Sequence, residues 1–310
     1  MNGASSGGSG TVAALLTVCV LVWGTTWYAI VWQLEAIAPA PGVALRFALA
    51  AAGLFAWALW QGQSLRFPWA VQRLLATQGL LSFTVSYLCV YHAERYIVSG
   101  LVAVGYAATP LINMVLARWL MGTPLSRPVG VGGVAGLVGV VLIFWHEFAR
   151  LSDAPHVLLG AGLTVAAVLT SSLSNMAVAF SHRQGVSGPA PLAWAMAWGA
   201  AGTALVALVQ GDAWTPRWSW AFVGSMAWLV LGGSIIAFAC FYALMRRVGP
   251  AKAGYVGVTT PVVALLVSSV FEGFHWQWAT VAGVALAVGG NVWALWPRPA
   301  AGEGGAGKAA

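Results

Sequence analysis

Apolar residues in this chain run on for about twenty positions at a time, broken by short segments rich in Pro, Gly and charge. A helix rises about 1.5 Å per residue and needs about 20 predominantly apolar residues to cross the hydrocarbon of a bilayer. Stretches of that length are predicted as helices at residues 11–33, 42–60, 71–91, 98–120, 130–148, 156–181, 192–210, 220–244, 251–271 and 278–295. None shows the period-2 alternation of a membrane barrel strand. The pattern therefore predicts an all-α integral membrane protein of ten transmembrane helices. The Gly/Ser-rich start (1–10) and the Gly/Ala-rich tail (298–310) are expected to be disordered.

Composition strengthens that reading. Of 310 residues 60% are hydrophobic and 7% charged, with a mean hydropathy of +0.83. A soluble domain carries about a quarter charged residues, so most of this surface faces lipid. The net charge of +7 is spread singly along the chain, which excludes a nucleic-acid patch and leaves charge to report topology. With the N-terminus inside, the cytoplasmic loops and tail hold Arg66, Arg73, Arg118, Arg127, Arg183, Arg246, Arg247, Lys252, Arg298 and Lys308. The opposite side holds Arg95, Arg150 and Arg217, and Arg46 is left within a helix. The positive-inside rule then places both termini in the cytoplasm of a cell inner membrane. Trp57, Trp60, Trp69, Trp218, Trp220 and Trp276 fall near predicted helix ends, as an interfacial belt requires. Cys19, Cys89 and Cys240 all lie in apolar segments and read as small buried hydrophobes. Residues 1–10 lack Lys and Arg and make no signal peptide. No metal or other cofactor is implied.

The chain also resembles itself. An offset of 151 aligns Tyr91 with Tyr242, Arg95 with Arg246, Pro110 with Pro261, Gly122 with Gly273, Gly132 with Gly283 and Gly139 with Gly290. Near offset 150, Pro39-Ala-Pro41 matches Pro189-Ala-Pro191. Shared Gly and Pro mean shared backbone demands. Five spans per half is an odd number, so the halves 11–150 and 151–297 are expected to insert upside down relative to each other. That architecture is usual in alternating-access transporters, with a site where the halves meet.

Several motifs are distinctive. The first helix carries Trp23-Gly-Thr-Thr-Trp27, and the second opens with Pro41 followed by Arg46-Phe47. Ser99-Gly100 leads to Pro110, and Ala251-Lys-Ala253 leads to Pro261 and then Glu272. In this order the chain resembles the EamA group of the drug/metabolite transporter superfamily over nearly all of residues 11–297. The resemblance implies export of small metabolites, amino acids among them. One departure is that Met121 stands in the first half where the family pattern, kept at Glu272, has a Glu.

Polar residues inside a membrane are costly and rarely face lipid. Thr164, Ser171 and Asn175 share one face of the sixth helix, and Tyr106 and Asn113 share one of the fourth. Tyr87 and Tyr91 pair at i, i+4, as do Tyr255 and Thr259, and Tyr242 is the repeat partner of Tyr91. These faces, with an aromatic wall of Trp23 and Trp27, are expected to line a central cavity for a small-molecule substrate. Interhelical hydrogen bonding is the competing role for each polar residue. Arg46 is expected to meet a substrate carboxylate, pair with Glu35 or Glu94, or serve structure alone. No Asp or Glu falls mid-span, which argues against a carboxylate proton carrier and a polycationic cargo. The five His are scattered, so no cluster suggests an enzyme. Gly132-xxx-Gly136 and Gly283-xxx-Ala287 allow close helix contacts, and a monomer or weak dimer is expected. A phosphorylated or nucleotide-linked sugar carrier, a lipophilic-drug exporter and a non-transporting membrane subunit are the rival readings.

Overall fold

The computed structural model describes residues 6–97, 99–143, 155–271 and 276–295. Every regular element among them is helical. In chain order these are α1 (Ser6–Ala36), α2 (Pro39–Trp60), α3 (Trp69–Ala93), α4 (99–121), α5 (Arg127–Ile143), α6 (Pro155–Arg183), α7 (Pro189–Gln210), α8 (Trp220–Ala253), α9 (Val256–Phe271) and α10 (Trp278–Leu295). Six of them, α1, α2, α3, α6, α7 and α8, are long and apolar enough to cross a membrane; α5, α9 and α10 are shorter apolar helices. Helix α1 begins at Ser6, ahead of the predicted start at Thr11. The predicted tail, Glu147, Arg150, Asp153 and Glu272 lie outside the described residues.

Proline and glycine set several helix ends. Pro39 and Pro189 open α2 and α7 in the first helical positions, where a missing N–H is not missed. Helix α8 is kinked near its end, because Gly249 takes φ 80° and Pro250 follows it. Asn113 reaches across from α4 and donates Nδ2 to the Pro250 carbonyl at 2.9 Å. Three elements depart from α geometry. A π-helical stretch runs through α3 at Leu80–Ser86 and another through α8 at Leu229–Ile236, and α4 narrows to a 3-10 turn at Tyr106–Ala108. The two π stretches lie about one repeat apart. Pro110 removes the hydrogen bond that the Tyr106 carbonyl would accept in an unbroken helix, and Gly257 of α9 packs directly onto that carbonyl.

The packing pairs like with like. Helix α2 lies against α7, and α5 against α10. Helix α1 packs on α8 and α9, just as α6 packs on α3 and α4. Between α5 and α10 the small residues face each other: Gly132 abuts the Gly290 carbonyl, and Gly139 abuts Gly283 and Ala287. The stripes that sequence offered for helix contacts are thus occupied by one another. Trp60, Trp69, Trp220 and Trp278 stand exposed at helix ends, as belt residues do.

A Cβ at Gly139 falls on the Gly283 backbone, whereas Gly289 opens onto free space. Gly139→Ala is expected to destabilise the purified protein by about 1–3 kcal/mol through overpacking. Gly289→Ala should leave the unfolding midpoint within about 0.5 kcal/mol.

Candidate functional site

A cavity of about 90 Å³ opens where α1, α8 and α9 meet α3, α4 and α6, with α2 contributing one residue. That residue is Arg46. Two turns after the prolines that open α2, it points inward and is 1% exposed. Its guanidinium carbon stands 4.8 Å from the centre of the Tyr87 ring and 5.3 Å from that of Phe47. Nε donates to Ser234 Oγ at 2.9 Å, and Nη1 donates to Tyr91 Oη at 3.4 Å. Ser234 in turn donates to the Leu229 carbonyl at 2.9 Å, five residues back in the wide turn of the α8 π stretch. The π geometry therefore presents the hydroxyl that holds the charge, an example of such a stretch at a polar site. Arg46 hydrogen-bonds to hydroxyls, and Glu94, one of the two acids considered from sequence, lies near enough for its charge to act on the guanidinium. Among the described residues that line the cavity, none is acidic.

Aromatic rings form the rest of one side. Trp23 donates Nε1 to the Gly233 carbonyl at 2.9 Å, again in the π stretch. Its ring packs against Phe238 and Phe241 at 5.0 and 5.2 Å between centroids. Trp27 sits 5.7 Å from Tyr106. Ser86 gives its single proton to the Ala167 carbonyl at 2.9 Å, so at 3.1 Å Tyr106 is the donor to Ser86. Two polar atoms here are buried without a hydrogen-bond partner, Trp27 Nε1 and Thr109 Oγ1.

Of the residues singled out from sequence, Trp23, Trp27, Arg46, Tyr87, Tyr106, Ser171 and Asn175 line this cavity. Five others do not. Tyr91 lies behind Tyr87 as the acceptor for Arg46. Asn113 is fully buried at the α8 kink, where its Oδ1 accepts from Asn175 Nδ2 at 3.5 Å. The 3-10 turn between Tyr106 and Asn113 breaks the shared face that a regular helix predicts. Tyr255 is fully buried against α5, donating to the Val129 carbonyl at 2.6 Å, and Thr259 bonds back to the Tyr255 carbonyl. Thr164, on the predicted α6 face, bonds back to the Gly160 carbonyl.

Tyr242 accepts from Gln78 Nε2 at 3.1 Å and lines a second cavity of about 130 Å³ with Trp57, His182, Ser187 and Arg246. Its ring lies 5.7 and 5.9 Å from Phe238 and Phe241, which wall the first cavity. An aromatic septum thus separates the two spaces.

Sequence reasoning passed over Thr26, Ser82, Ser86, Thr109 and Thr260, all lining residues. A signal for two of them was present: Thr109-Pro110 and Thr260-Pro261 are one dipeptide repeated at the same offset of 151.

Known proteins share this architecture and sequence. The EamA-like transporter family model matches residues 10–145. The chain is 31% identical to the uncharacterized inner membrane transporter YedA of Escherichia coli K12 over 255 residues, covering 80% of this chain and 79% of that protein. The chain belongs to the EamA-like transporter family. This EamA-like protein is also 26% identical to protein PecM of Dickeya dadantii over 81% of its length and 80% of the relative's. A solved crystal structure shares its fold with a TM-score of 0.73, covering 92% of this chain and 96% of its own at 22% identity. Family and helices together make it a multi-pass inner-membrane protein of a transporter family.

Ser234→Ala in this EamA-like protein leaves a buried guanidinium N–H without its acceptor. The variant is expected to lose about 1–3 kcal/mol of stability, read as a lower midpoint in thermal denaturation of the purified protein. An unchanged midpoint would show that Arg46 finds another acceptor.

Proposed function

We propose that this chain is a secondary transporter that exports small metabolites, most readily neutral or aromatic amino acids, by alternating access of two inverted five-helix halves. The observation that carries the reading is the central cavity, which combines aromatic rings with hydroxyls, an amide and one guanidinium at the junction of the two halves. Support for the duplicated architecture comes from the paired π stretches, the paired Pro openings and the matched α2–α7 and α5–α10 contacts. Two similar halves make two oppositely facing packings close in energy, which is what alternating access needs. The distribution of Lys and Arg supports cytoplasmic termini.

Size narrows the cargo. At about 10–15 Å³ of cavity per water, the space takes roughly six to nine non-hydrogen atoms. That suits a solute the size of leucine; an aromatic amino acid needs the walls to move apart. A nucleotide-linked sugar is far larger and calls for paired cations, whereas Arg46 is the one charged lining residue among those described.

Counterflow of labelled neutral and aromatic amino acids into proteoliposomes, with and without a pH gradient, tests this reading. At least one should accumulate. Asn175→Leu, which removes a lining amide, should cut uptake about tenfold or more with normal yield of folded protein. Asn113→Leu should instead lower that yield, because it removes the bond to the Pro250 carbonyl. No accumulation of any amino acid, or full uptake by Asn175→Leu, would overturn the assignment.

A further inference from the structure

The central cavity has a sign. Arg46 brings a full positive charge that stays ionised in proteins, and it is 1% exposed. Its bonded partners Ser234 and Tyr91 are neutral hydroxyls, which orient the guanidinium, and Glu94, the acid whose charge reaches it, is not among the residues that line the cavity. No acidic residue lines the cavity among those described. In a medium of low polarity such a charge is weakly screened. It attracts an anion and repels a cation that enters the same space.

The two partnerless groups have matching chemistry. The indole Nε1 of Trp27 is a donor only, and the hydroxyl of Thr109 has a proton to give. Thr260, the repeat counterpart of Thr109, spends its proton on the Val256 carbonyl four residues back at 2.7 Å. Thr109 follows the 3-10 turn Tyr106–Ala108, which disrupts the helical geometry that offers Thr260 its carbonyl. Its Oγ1 is left buried without a partner on the cavity wall, on a residue 5% exposed. Buried donors normally have acceptors, and two such orphans in one small cavity with a cation call for an acceptor-only, negatively charged group. The second cavity, across the Phe238–Tyr242 septum, repeats the sign: Arg246 lines it, and no acid does among the described residues.

We propose that the central cavity holds its cargo by a carboxylate, which accepts from Trp27 Nε1 and Thr109 Oγ1 within the field of Arg46, so that small carboxylates and zwitterions bind and amines without a carboxylate do not. This rests on the transport reading of the same cavity and names the group that the site recognises. The aliphatic part of the cargo lies against the rings of Trp27 and Tyr106. A zwitterion's ammonium is left to the hydroxyl oxygens of Ser171 and Thr260, which also line the cavity.

Three probes on one carbon skeleton test it by calorimetric titration of the purified protein: 4-methylpentanoate, L-leucine and 3-methylbutylamine. The first two are expected to bind with similar affinity, and the amine about tenfold or more weaker, the scale of a hydrogen bond to a charged group. Trp27→Phe and Thr109→Val should each weaken 4-methylpentanoate about tenfold. Thr109→Val should leave the melting point of the unliganded protein in place, since its hydroxyl has no partner to lose, whereas Trp27→Phe gives up ring packing against Tyr106 and lowers it. Equal binding of the amine and the carboxylate, unchanged affinity in both variants, or no binding of any probe would overturn the proposal. Binding of 4-methylpentanoate without leucine would keep the carboxylate site and sink the amino-acid cargo. Binding of leucine and the amine without 4-methylpentanoate would do the reverse.

Discussion

A guanidinium that cannot reach water sets the terms for the middle of this bundle. Burying Arg46 inside an apolar bundle carries a desolvation cost of several kcal/mol, and the surrounding structure is arranged to offset part of it. Helix α8 widens into a π turn and offers Ser234; α3 sends Tyr91 as a second acceptor and lays the Tyr87 ring under the charge. Trp23 ties α1 to the same π turn through the Gly233 carbonyl. Four helices are therefore held in register by one side chain and its partners. The residues in front of that cluster are left to form a cavity rather than a packed core.

The second constraint is backbone polarity in lipid. Every break in a membrane helix exposes groups that must find partners within the protein, and the described breaks fall around the central cavity. Pro110 frees the Tyr106 carbonyl beside Gly257, and Asn113 takes up the Pro250 carbonyl at the α8 kink. These places of weaker helical bonding border the cavity, where the proposed alternation between two packings would find its hinges. By contrast α5 and α10, which contribute no described residue to either cavity, are locked together by glycine contacts.

Much of this was legible in the chain itself. The helices fall close to the apolar stretches because twenty apolar residues have few other fates, and Pro39 and Pro189 mark starts that the structure keeps. The small-residue stripes of Gly132 and Gly283 named two helices that do pack together. Periodicity failed where the helix stops being regular. Asn113 was placed on the Tyr106 face by counting 3.6 residues per turn, and a 3-10 turn between them undoes the count. Tyr255 looked like a wall residue because it is polar and pairs with Thr259 at i, i+4, but its hydroxyl is spent on the Val129 carbonyl. The π stretches have no compositional mark, so Ser234, the partner that orients Arg46, was not anticipated. Thr109 and Thr260 did leave a trace in the duplicated Thr-Pro, which carries chemistry as well as backbone shape.

The central claim is that the space beside Arg46 is a path open in turn to each side of the membrane. Ser171 lines it, and Ser171→Cys is close to isosteric. In a background with Cys19, Cys89 and Cys240 replaced by Ala, a membrane-impermeant thiol reagent should modify Cys at this position when added to either face of oriented vesicles. An excess of cargo should protect it from both faces. Modification from one face alone, or from neither, would contradict alternating access through this cavity.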